Sequence, residues 1–162
     1  MPLTSRALRA AAAGFLIVLA ASAPVRGETV SPYPDTRVLP TKHSYGELVK
    51  RVNAAVEANG MGIVARASAT LGAKSIGIDI PGNAVIMVFR PDFAVRMLKA
   101  SVPAGIEAPL RLYVTEDART GNATLTYRTP SSVFKPYGSA ALDEMARELD
   151  GIFAKIAIEA TR

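Results

Sequence analysis

Apolar and polar positions alternate along the chain with two distinct rhythms. From Tyr45 onward, Leu48, Val49, Val52, Ala55 and Val56 recur at helical spacing, while Lys50, Arg51, Asn53 and Glu57 take the other side. Ser44 stands three residues before Glu47, the spacing at which a hydroxyl accepts from a first-turn amide, and Asn59-Gly60 supplies the stop. A longer stripe of the same period runs through Leu142, Met145, Leu149, Ile152, Phe153, Ile156 and Ala160, with Ser139 placed to cap it. A short third helix starts at Pro91 and is ended by Pro103 and Gly105.

The other rhythm has period two. Leu110, Leu112 and Val114 alternate with Arg111, Tyr113 and Thr115; Ala123, Leu125 and Tyr127 alternate with Thr124, Thr126 and Arg128, and the pair reads as a hairpin. Gly62 to Ala69 alternates Ile63, Ala65, Ala67 and Ala69 against Val64, Arg66 and Ser68, which predicts a half-buried strand. Ala73 to Gly77 reads as a turn or short helical piece, and Ile78 to Ile80 as a short extended run entering the turn Pro81-Gly82-Asn83. Ala84 to Phe89 is apolar at every position, so it is expected inside the sheet with something over its second face. With an extended piece at Thr36 to Thr41, the order is β-α-β-β-β-β-α plus a minor helix. That is an α+β two-layer sandwich, one antiparallel sheet with two long helices on one face. The segment from Thr129 to Gly138 reads as a Pro-punctuated loop whose Val133, Phe134 and Tyr137 could cover the sheet.

The first residues follow neither rhythm. Arg6 and Arg9 precede the apolar run Ala10 to Ala21, which ends in small residues; this is the layout of a secretory signal peptide, read here as residues 1–27, with a cut between Ala23 and Glu28. Residues 28–35 read as a flexible tether and residues 36–162 as a single domain. Export makes the protein periplasmic or secreted, with no membrane attachment after cleavage. It also removes Arg6, Arg9 and Arg26, which lowers the formal charge from +5 to +2 and withdraws the electrostatic case for nucleic-acid binding.

Composition then narrows the chemistry. The 162 residues contain no cysteine and one histidine, which excludes disulfide frameworks, thiolate zinc sites, iron–sulfur clusters and thiol nucleophiles, and leaves no multi-imidazole metal site. No cofactor or metal is expected. His43 precedes the first helix without triad partners and reads as a loop residue; Asp79 lies between isoleucines in a solvent-facing phase. The constellation that remains is the outward set of the strands: Arg66, Arg111, Tyr113, Thr115, Thr124, Thr126 and Arg128. Three guanidiniums and a phenol on one sheet face suit an anionic ligand or an acidic protein partner, with Arg66, Arg111, Tyr113 and Arg128 as the ligand-binding candidates. A homodimer that buries the uncovered side of the apolar strand is the other expected association.

From about Ser44 to its end the chain resembles the domain-of-unknown-function 302 family. The resemblance rests on Gly60 before the second strand, Ala73 and Gly77 after it, Phe89 and Pro91 closing the apolar strand, Ala108-Pro109-Leu110 opening the hairpin, and Tyr127-Arg128-Thr129-Pro130 leaving it. It implies an α+β fold related to the repeated unit of the TATA-binding protein, and no agreed activity. Family members often carry an Asp-His-type pair near the end of the second strand, which by spacing falls here on Ser68 and Ala69, and a Phe-Gly-Asn-Pro turn that here reads Phe89-Arg90-Pro91. No family role passes to Ser68 or Ala69. The function these observations imply is a non-catalytic ligand- or partner-binding module; the alternative is an enzyme of unrecognised type using carboxylate, Tyr and Arg side chains on the open sheet face.

Overall fold

The computed structural model describes residues 33–162, so the signal-peptide reading and most of the tether reading lie outside the described residues. Ten elements follow in chain order: β1 (Thr36–Ser44), α1 (Tyr45–Ala58), β2 (Gly62–Ala67), α2 (Ala69–Ser75), β3 (Asn83–Phe89), α3 (Pro91–Ala100), β4 (Leu110–Glu116), β5 (Asn122–Arg128), α4 (Pro130–Phe134) and α5 (Ala140–Thr161). The five strands make one antiparallel sheet in the order β1-β5-β4-β3-β2.

The caps form as their residues dictate. The Ser44 hydroxyl accepts from the Glu47 amide at 3.3 Å and the Ser139 hydroxyl from the Leu142 amide at 3.4 Å. Gly60, with φ of 70°, turns the chain out of α1 in a conformation that costs a glycine little. Arg51 on α1 donates to the carbonyls of Glu159, Ala160 and Arg162, tying the first helix to the C-terminal end of α5 where a cation is favoured.

Leu48, Val52 and Val56 of α1 and Leu142, Met145, Leu149, Phe153 and Ile156 of α5 pack onto Ile86, Val88, Leu112, Val114 and Leu125, and all are essentially buried. β3 lies between β4 and β2, as its unbroken apolar run requires. Its Ala84, Ile86 and Val88 are buried, whereas Val85, Met87 and Phe89 on the other face are half-buried.

Two expectations are corrected. The segment after β5 is not a loop over the open sheet face: Pro130–Phe134 is helical, and the buried Val133 and Phe134 join the helix-side core, with α4 against α5. Phe134 lies among Met97, Met145 and Leu149, because a short helix started by Pro130 turns its apolar side toward the neighbouring helix. The second strand ends at Ala67, not Ala69; the Ser68 hydroxyl instead accepts from the Leu71 amide and starts α2, and the Ile78 to Ile80 run pairs with no strand.

Candidate functional site

Cross-strand register decides which outward side chains meet. Met87 stands opposite Arg111, Val85 opposite Tyr113 and Asn83 opposite Thr115, while Tyr113 and Thr115 on β4 stand opposite Thr126 and Thr124 on β5. Directly opposed residues share a face, so these side chains share the face away from the helices. The β4–β5 ladder pairs Tyr113 through Glu116 with Ala123 through Thr126. Arg111 and Arg128 lie just past its last pair, where a cavity of about 350 Å³ opens.

Leu110, Tyr127 and Val133, all buried, form the apolar floor of that cavity, and Arg111, Tyr113, Thr126, Arg128, Thr36 and Tyr33 form its polar walls. Burial pushes the Tyr127 hydroxyl above the ordinary tyrosine value, so it stays neutral. The Arg128 guanidinium stacks over the Tyr33 ring at 4.4 Å, and its Nη2 donates to the Ser132 carbonyl at 3.4 Å. Its Nε is buried and has no hydrogen-bond partner. The Tyr113 hydroxyl accepts from the Asn83 side-chain amide, which leaves its own proton to donate.

No carboxylate lines this cavity. The ion pairs among the described residues are Arg90 with Asp92, Arg96 with Glu148 and Arg119 with Asp117, so neither Arg111 nor Arg128 is neutralised by a salt bridge. Two like charges facing one concavity repel each other, and an anion between them would relieve that repulsion through charge-assisted hydrogen bonds.

Arg111, Tyr113 and Arg128 are therefore brought together as the strand pattern predicts. Arg66 is not. The β2–β3 register shifts between Ile63 and Ala65, which are paired with Val88 and Met87, so Val64 is an extra residue in the strand. Past this bulge the phase reverses: Ala65 and Ala67 take the open face, and Arg66, opposite the buried Ile86, takes the helix side. Tyr33 and Thr36 were not anticipated. Thr36 donates to the Tyr33 carbonyl, and the Thr129 amide donates to the Asp35 carbonyl, which holds the end of the presumed tether beside β5. An aromatic residue between Pro32 and Pro34 at the threshold of a strand was the signal available in the sequence.

The remaining candidates have structural employment. His43 Nε2 lies 3.1 Å from the Arg162 carbonyl oxygen, Ser68 also donates to the Asn83 carbonyl, and Asp79 is exposed. Backbone amides of Arg119 and Thr120 donate to Asp117 and hold its carboxyl below the usual range. Among the described residues no group of three or more His, Cys, Asp or Glu side chains is arranged to hold a metal ion, and no helix is long and apolar enough to cross a membrane.

Comparison with known proteins places this geometry in context. Over 91 residues the chain is 28% identical to "Fluoride-specific ion channel FluC 1" of Brucella suis, covering 56% of this chain and 35% of that protein, and equally to "Fluoride-specific ion channel FluC 1" of Brucella abortus, of which it covers 33%. The chain thus spans about a third of the length of these relatives. Among solved structures, the uncharacterized conserved protein DUF302 from Bacillus stearothermophilus superposes with a TM-score of 0.70 at 19% identity, over 80% of this chain and 99% of that one. The sequence pattern of the family described as "Domain of unknown function DUF302" matches residues 37–157, from β1 into α5, and the chain belongs to that family.

Proposed function

We propose that this protein is an exported, non-catalytic module that binds a small anionic ligand on the open face of its sheet. The observation that carries the reading is the pair of guanidiniums, Arg111 and Arg128, turned toward one cavity that no carboxylate lines. A cavity of about 350 Å³ with an apolar floor and a few convergent polar groups has the size and make-up of a small-molecule site. Export is supported by the signal-peptide layout of residues 1–27. The enzymatic alternative needs a carboxylate beside Tyr113 and the arginines, and the cavity wall supplies none. An anion is also the cargo in the names of the Brucella relatives, which makes fluoride one arm of the test.

Titration calorimetry with succinate, phosphate and fluoride tests the proposal. At least one is expected to bind, and Arg111→Ala to weaken it by about tenfold or more, the effect of losing a charge-assisted hydrogen bond. Absence of heat from every anion, or binding indifferent to Arg111→Ala, would overturn it.

The same face favours a second reading, a homodimer, because Val85 and Met87 remain half-exposed on an internal strand.

A further inference from the structure

Resting on the anion site just proposed, we infer that its ligand is an anionic amphiphile: a carboxylate head on Arg111 and Arg128 with a hydrocarbon tail lying across β3 and β2. The open face is divided chemically along its strands. The β4–β5 side carries Arg111, Tyr113, Thr126 and Arg128; the β3–β2 side carries Val85, Met87, Ala65 and Ala67 and no charged side chain. The boundary is sharp, because Met87 is the direct cross-strand partner of Arg111 and Val85 that of Tyr113. Opposed side chains on such a pair lie about 5 Å apart, so a carboxylate held by Arg111 has methylene-bearing surface beside it.

The bulge at Val64 completes this surface. By reversing the phase of β2 it turns Arg66 to the helix side and sets Ala65 opposite Met87 and Ala67 opposite Val85. An unbroken alternation would have placed Arg66 at the end of the apolar strip. From β4 to β2 the strip crosses two strand spacings, about 10 Å, which suits a medium-length alkyl chain. A purely inorganic anion would leave the strip uncovered, and a neutral hydrocarbon would leave both guanidiniums unpaired.

The test is a chain-length series on the intact protein, with acetate, butyrate, octanoate and decanoate as ligands and decylamine as the cationic control. Affinity is expected to rise about two- to fourfold per added methylene, the gain from partial to full burial of each group, and decylamine is expected not to bind. Ala65→Asp, on the exposed edge strand where no core contact is lost, is expected to flatten the chain-length dependence, so that decanoate binds no better than butyrate; Met87→Ser, which removes tail contact without setting a carboxylate opposite Arg111, should reduce the gain per methylene. Arg111→Ala should weaken the whole series. Binding that depends on Arg111 but not on chain length would overturn the amphiphile and leave the anion site standing, whereas no binding by any carboxylate or inorganic anion would remove both. Decylamine binding as tight as decanoate would also overturn the inference.

Discussion

Gly82 shows how much one side chain can decide. It closes the turn before β3, where its amide donates to the Glu116 carboxylate at 2.6 Å, and a Cβ at this position would lie 2.3 Å from the Tyr45 ring. The nearest ring atom is Cγ, so the clash is relieved only if the whole Tyr45 ring rotates away or the start of α1 shifts. Gly82→Ala is therefore expected to lower stability by about 1–3 kcal/mol, the usual cost of overpacking; an unchanged denaturation midpoint would show that Tyr45 repacks freely. Gly82 was legible as a turn residue from Pro81-Gly82-Asn83, but its contact with Tyr45, 37 positions earlier in the sequence, was not. Arg66 illustrates the same limit. A period-two pattern assigns faces correctly only while the strand is unbroken, and one extra residue at Val64 inverted the assignment.

At the scale of elements, local chemistry was read accurately where an element depends on its own residues. The helices capped by Ser44 and Ser139 and the helix begun by Pro91 all form where their signals lie. Leu149 on α5 is 3% exposed, on the stripe the periodicity placed inward. Leu149→Asp puts an unpaired charge into the helix–sheet core at a cost of several kcal/mol, and loss of the cooperative thermal transition is expected by circular dichroism; a variant that melts cooperatively near the parent temperature would mean that the charge escapes to solvent. Short elements were harder to read. α4, with five residues, shows no helical period, since one turn is too brief to display one, and its order comes from packing on α5. α2 exposes Leu71, and Ile76 and Ile78 beyond it are exposed as well.

For the whole molecule, one sheet face is filled by helices and the other is divided between a basic half and an apolar half. A homodimer through the apolar half would bury Val85 and Met87, and sedimentation velocity across a concentration series is expected to show a dimer at high concentration that Met87→Asp abolishes. A strictly monomeric protein at every concentration would end that reading. The α+β class, the helix stripes, the internal position of β3 and the shared sheet face of Arg111, Tyr113 and Arg128 were determined by the sequence itself, because burial periodicity and capping are recorded in residues close together along the chain. The cavity was not. It depends on where the β4–β5 ladder stops and on a backbone hydrogen bond from Thr129 to Asp35 that holds the segment bearing Tyr33 beside Arg128. Contacts between segments so far apart are settled only when the sheet closes, since no local propensity encodes the register by which distant strands meet.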